Sequence, residues 1–250
     1  MQNQFSRTQM MLGQAAMDTL AASRVAVFGV GGVGGYAVEV LARSGVGAID
    51  VIDNDCVSPS NINRQIIALT ANVGRYKVDV AEERIRAINP QCLVTKWRMF
   101  YLVSNADEID LSVYDYVVDC IDTVSAKMEL IRRCTRLGVP IICSMGAAYK
   151  MDATQFRVAD ITKTIMDPLA KVIRKRLRRE GIRHFKCVYS PEKPIEPLPD
   201  EAACAEAEAG PSEVPQRVPP SNAWVPAAAG LILGSEVIKD LVGLTPATEV

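Results

Sequence analysis

One histidine, His184, serves a chain of 250 residues, so a Ser-His-Asp or Cys-His catalytic arrangement has little to work with. The seven cysteines are scattered, odd in number and contain no CxxC pair, which argues against a zinc knuckle, a redox dithiol and a disulfide framework. Neither sign of charge dominates. The 28 Lys and Arg against 29 Asp and Glu give a net charge of −1, which excludes a wholly basic RNA-coating protein. The longest apolar run, Ala223 to Gly234, is too short to span a bilayer and soon meets Glu236 and Lys239, so no transmembrane segment is expected. With no recognisable secretory leader and no paired cysteines, the expectation is a reduced, cytoplasmic protein.

What is present is ordinary for a globular chain with a sizeable core: 49% hydrophobic and 23% charged residues. Apolar, β-branched runs at 24–29, 47–53, 92–97, 115–121 and 139–144 alternate with helical patterns at 32–44, 74–89 and 123–137. Strands that are apolar on both faces and alternate with helices predict an α/β fold: a Rossmann-like, mostly parallel sheet with helices on both faces. After Ser144 a strand is expected at 154–160, a helix at 167–180 and a short strand at 186–189. Nine of the fourteen prolines fall between Pro191 and Pro226, which reads as a long loop, and residues 227–242 close with a helical pattern. The expected division is residues 1–165 as the main unit, with a smaller C-terminal extension at 166–250.

The chemistry is concentrated in three segments. Residues 29–34 read GVGGVG between a strand and a helix, where Gly29, Gly31, Gly32 and Gly34 let the backbone approach a phosphate at a helix N-terminus. Asp53 ends the next strand, where a carboxylate can accept hydrogen bonds from ribose hydroxyls. The glycines alone do not choose the nucleotide, and an NAD-dependent oxidoreductase is the default reading of them. The following segment departs from that default. Asp53, Asp55, Asn61, Asn63, Arg64 and Gln65 crowd into 13 residues, and Lys77 opens the next helix. Cations and amides in this density suit a triphosphate that is being cleaved, because they neutralise charge developing on its phosphates. Asp119 and Asp122 close an apolar strand at the carboxyl edge of the sheet, where an Asp suits Mg²⁺ on phosphates.

GxGGVG, DxDxVxxSNxNRQ, VGxxKxxxAxxRIxxINP and DxxD in this order resemble the adenylating enzymes of the ThiF, MoeB and HesA group, over about residues 5–165. That resemblance implies an enzyme that binds ATP with Mg²⁺ and converts a carboxylate into an acyl-adenylate. Gly31 and Gly32 would lie against the phosphates and Asp53 would hold the ribose. Asn61, Arg64, Gln65 and Lys77 would surround the triphosphate, and Asp122 would hold the metal. Arg7 matches an arginine that reaches into a partner subunit's site, which implies a homodimer. Enzymes of the group that act on sulfur carriers usually hold zinc with two CxxC pairs, which this chain lacks. The segment from Thr162 to Leu169, the basic helix after it and Cys187 to Ser190 resemble instead the branch that dehydrates threonylcarbamoyladenosine next to the anticodon of tRNA. The implied reaction is adenylation of the threonyl carboxylate by ATP, then intramolecular ring closure with release of AMP. Adenylation of a sulfur-carrier or ubiquitin-like C-terminus is the alternative, and a sulfur-transfer protein is a further candidate partner.

A local field supports an RNA partner independently of that resemblance. Lys171, Arg174, Lys175, Arg176, Arg178, Arg179, Arg183 and Lys186 are opposed within their run by Glu180 alone. Such a run is the footprint of phosphate-backbone contact. Lys171, Arg174, Lys175, Arg178, Arg179 and Arg183 are the expected tRNA contacts, and the acidic stretch Asp200 to Glu208 is expected to offset them in the global charge.

Overall fold

The computed structural model describes residues 3–196 and 219–244. Most of the expected loop, Cys204 and the acidic stretch 200–208 lie outside the described residues.

Seven strands form one sheet in the order β3-β2-β1-β4-β5-β7-β6. They are β1 (Arg24–Phe28), β2 (Ala48–Ile52), β3 (Leu93–Trp97), β4 (Tyr116–Asp119), β5 (Ile141–Ser144), β6 (Arg157–Asp160) and β7 (Lys186–Tyr189). All neighbouring pairs are parallel except β6 with β7. The helices between them are α3 (Gly34–Ser44), α4 (Lys77–Ile88), α5 (Val124–Leu137) and α6 (Pro168–Arg179), and α7 (Val225–Leu241) closes the described chain. The Rossmann-like reading therefore holds. The sheet also runs across the expected boundary at 165, since β7 inserts between β5 and β6.

Alternation along β1, an interior strand, explains the layers. Val25 and Val27 of β1 point into one core with Ala37, Leu41 and Leu233 from α3 and α7. Ala26 and Phe28 point into the other, with Leu130 and Ile131 of α5 and Ile173 and Leu177 of α6. Covering both faces makes β1 and β4 wholly apolar apart from their ends, Arg24 and Asp119. A Cβ at Gly234 of α7 would come within 2.6 Å of the Val40 Cβ on α3, so glycine is what lets these two helices lie this close.

Two short helices precede the sheet, α1 (Ser6–Leu12) and α2 (Gln14–Ala22), and no periodic signal in the sequence marks them. No residue of α1 is buried, and α2 buries only Met17 and Leu20. Too few apolar positions face the core to write a 3.6-residue period.

Candidate functional site: a nucleotide cleft at the carboxyl edge of the sheet

The carboxyl ends of β1, β2, β4 and β5 open into a cleft of about 700 Å³. At its base the chain turns sharply out of β1. Gly29 adopts φ 86°, and a Cβ there would sit 2.9 Å from the Cys120 carbonyl oxygen, so only glycine meets both demands. Gly34 packs directly on the Gly29 carbonyl. Gly31 and Gly32 line the cleft, and α3 starts beside them with no side-chain cap and no acid in its first turn. The Gly35 and Tyr36 N–H groups close its first turn on the Gly31 and Val33 carbonyls, at 3.0 and 3.1 Å, while the positive end of its dipole lies at the cleft, where it favours an anion.

Asp53 follows β2 and is nearly enclosed. Its Oδ2 accepts from the Val30 N–H at 2.8 Å and its Oδ1 from the Asp55 N–H at 2.9 Å. Burial pushes its carboxyl above the ordinary range, although Lys77 and those two N–H groups act in the opposite direction. The stretch from 53 to 77 is folded back on itself. Val57 N–H donates to the Arg75 carbonyl, Gly74 N–H to the Val57 carbonyl and Lys77 N–H to the Asp55 carbonyl, at 2.8, 2.9 and 2.9 Å. This clamp delivers Lys77 to the cleft as a buried cation, 2.6 Å from Asp55 Oδ2 and 4.0 Å from Asp53 Oδ1.

The amide-rich turn divides its labour. Gln65 is buried in the cleft wall and its Oε1 has no hydrogen-bond partner among the described residues, which leaves an acceptor in the wall of the cleft. Arg64 lines the cleft and is anchored through its Ser60 carbonyl contact at 2.9 Å and Asn63 Oδ1 contact at 2.9 Å; burial lowers its pKa. Asn61 also lines the cleft, and its Oδ1 accepts from the Ser58 N–H at 3.2 Å. Asn63 does not line the cleft. Its Nδ2 donates to the Ser221 carbonyl at 3.1 Å, fastening the turn to the segment that enters α7.

Asp122 stands exposed beyond β4 on the same cleft. Mg²⁺ on a nucleotide takes one or two carboxylates with phosphates and waters, so a single facing carboxylate fits that ion. Among the described residues no group of three or more His, Cys, Asp or Glu is arranged as a metal cage. Cys120 lines the cleft, but burial pushes its thiol up to about 12, so it is no nucleophile at neutral pH. Arg7 lies exposed on α1 and does not line the cleft of its own chain.

Sequence patterning missed the pair beneath this cleft. Lys127 Nζ donates to Asp119 Oδ2 at 2.7 Å and to the Ser144 carbonyl at 3.0 Å, with both charged side chains wholly buried. The available signal was an Asp ending a strand and a Lys eight residues later, within the first turns of the following helix.

The basic helix α6 buries Ala170, Ile173 and Leu177, starts from Pro168 with Asp167 accepting the Ala170 N–H, and turns most of its cations outward. Lys171, Lys175, Arg176, Arg178, Arg179 and Arg183 are exposed. Two members of the run turn inward instead. Arg174 donates to the carbonyls of Ile161 and Thr164 at 3.3 and 2.8 Å and to the Thr164 hydroxyl. Lys186 is held by Asp240 at 2.7 Å and by Glu236 at 3.4 Å. A charge count along the chain could not separate these, because their partners lie on other elements. Glu180, the opposing acid, is claimed by Arg132 of α5.

A glycine turn at a helix N-terminus, an enclosed carboxylate, and Arg64, Gln65, Lys77 and Asp122 surround one opening at the carboxyl edge of a Rossmann-like sheet, where such folds bind ligands. The chain belongs to the ThiF family, whose model matches residues 5–249. It is 45% identical over 246 residues to the tRNA threonylcarbamoyladenosine dehydratase of Bacillus subtilis, covering 97% of this chain and 96% of that protein. To the Escherichia coli protein of that description it is 42% identical over 209 residues, 80% of this chain and 78% of that one. The E. coli dehydratase in complex with AMP superposes with a TM-score of 0.84 at 36% identity, covering 96% of this chain and 94% of that one. Its ATP complex gives a TM-score of 0.82 at 35% identity over the same shares.

Proposed function

We propose that this protein is an ATP-dependent tRNA-modifying enzyme that dehydrates threonylcarbamoyladenosine next to the anticodon, closing the threonyl side chain into a ring. The observation that carries the reading is the single cleft in which Gly31, Gly32, Asp53, Arg64, Gln65, Lys77 and Asp122 converge, in a chain similar over nearly its whole length to dehydratases of that substrate. In the first step a threonyl carboxylate oxygen attacks the α-phosphorus of ATP and pyrophosphate leaves. A nucleophile within the same side chain then displaces AMP and closes the ring, with net loss of one water.

The residues match the demands of that chemistry. Lys77 and Arg64 place positive charge where the phosphates gather it, in a site part-shielded from water. The Gln65 side chain sits against Gly31, where its amide can order a phosphate oxygen. Asp53 would accept hydrogen bonds from the ribose hydroxyls. Asp122 would hold magnesium, which when bound neutralises triphosphate charge. Ring closure is intramolecular, so proximity replaces a protein nucleophile, in keeping with the protonated Cys120 thiol. The tRNA would lie along the exposed cations of α6, whose first turn brings Leu169 to the cleft. We place the enzyme in the cytoplasm as a homodimer, with exposed Arg7 offered to the partner's site.

The test is incubation with ATP, Mg²⁺ and tRNA carrying threonylcarbamoyladenosine. AMP and a nucleoside lighter by one water are expected. An unchanged nucleoside mass, with the protein folded and ATP bound, overturns the assignment.

A further inference from the structure

We infer that Lys127 is a positioning residue of the nucleotide site, which sets the metal-facing turn Cys120 to Asp122 by locking the ends of β4 and β5 together from below. The inference rests on the cleft being the site for ATP with its metal.

The contacts run in a chain. The Lys127 ammonium spans the end of β4, through Asp119 Oδ2 at 2.7 Å, and the end of β5, through the Ser144 carbonyl at 3.0 Å. The second oxygen of Asp119 accepts the Ile121 N–H at 3.1 Å, fixing the backbone that leads to Asp122. Cys120, within that turn, packs on two glycines of the first loop: its carbonyl lies at Gly29 and its Cβ beside Gly34. Thus one buried cation sets the spacing of the β1, β4 and β5 ends. Cys120, Ile121, Asp122, Ser144 and Met145 all line the cleft above it.

Stability alone is a poor reason for this pair. Two charges wholly removed from water lose most of their attraction to desolvation, and apolar replacements are often as stable. Burial works to deprotonate Lys127, but its neighbours, Asp119 foremost, outweigh it and raise the ammonium's pKa. A charged, directional bridge fixes backbone geometry in a way that apolar packing cannot. The turn carrying Asp122 is where such precision has a use, because among the described residues the only hydrogen bond to that carboxylate comes from the Thr123 hydroxyl, at 3.4 Å.

The test compares the Lys127→Arg variant with the Asp119→Leu/Lys127→Met double variant, which leaves no orphaned charge. ATP binding is measured by calorimetry with and without Mg²⁺, in the absence of tRNA. The double variant is expected to fold and to bind metal-free ATP within about threefold of the unaltered protein, while the gain on adding Mg²⁺ falls at least about tenfold. Lys127→Arg should recover part of that gain. A double variant whose magnesium-dependent gain is unchanged overturns the inference. So does one that does not fold, since the pair would then belong to the fold alone, and so does equal loss of ATP binding with and without the metal. Failure of the unaltered protein to bind ATP would instead strike the proposed function.

Discussion

Lys77 and Asp55 are joined by a 2.6 Å ion pair in which the lysine is buried and the aspartate is 56% exposed. The asymmetry suits a cation held in readiness. The solvated carboxylate can yield the ammonium to a phosphate at little cost, whereas Lys77 cannot leave the cleft without losing its packing. Lys77→Ala should therefore lower AMP formation by about 10²-fold or more. Stability should fall by about 1–3 kcal/mol, little of it from Asp55, which remains in water, and most from the nearly enclosed Asp53, which loses its compensating charge. Single-turnover AMP release and a melting curve check both, and full activity would remove Lys77 from the phosphate site.

Asp122 separates catalysis from folding more sharply still. It is exposed and, among the described residues, its side chain accepts one hydrogen bond, from Thr123 at 3.4 Å, so Asp122→Ala should leave stability within about 0.5 kcal/mol. AMP formation should nevertheless be lost, with metal-free ATP binding retained.

Asp53 predicts an acid-sensitive affinity for ATP. Burial raises its carboxyl above the ordinary range, so it takes up a proton at higher pH than an exposed aspartate does. Because the folded-state pKa lies above the unfolded one, ionised Asp53 carries a stability cost that is full above the folded pKa and is relieved as pH falls through it. Acid should thus weaken ATP binding, by removing a ribose acceptor, without a loss of stability traceable to this group. Calorimetric titrations between about pH 5 and 8 should show affinity falling toward the acid end. Asp53→Asn should flatten that profile and weaken binding at neutral pH.

The basic helix divides into an outer and an inner set with opposite phenotypes. Charge reversal at Lys175, Arg178 and Arg179 should weaken tRNA binding strongly and reduce its salt dependence, leaving ATP affinity unchanged. Arg174→Ala should instead destabilise the protein by about 1–3 kcal/mol, because the carbonyls of Ile161 and Thr164 lose their donor. Filter binding at several salt concentrations, beside thermal melts, distinguishes the two sets. Comparable tRNA loss in both with unchanged stability would overturn the division.

Gly34→Ala tests the first loop. A methyl there meets the Gly29 carbonyl head-on, with no flexible side chain to move aside. Loss of ATP binding is expected, together with destabilisation of several kcal/mol.

Much of this molecule is written in local pattern. The strands, the helices α3 to α7, the glycine turn and the spacing from Gly29 to Asp53 follow from apolar periodicity, breaker residues and the demand for a close backbone approach. Those signals act within a few residues of chain, and the family motifs are read at the same range. Tertiary structure alone decided which polar groups serve the site and which serve the fold. Asn61 and Asn63 differ by two positions, yet one lines the cleft while the other reaches Ser221. Arg174 and Lys175 are neighbours, yet one is spent on backbone carbonyls and the other faces solvent. In the sequence Lys127 is one lysine within a helical pattern, and only the fold joins it to Asp119 and Ser144, the ends of two adjacent strands. A buried charge takes its meaning from the group that compensates it, and folding brings that group from elsewhere in the chain.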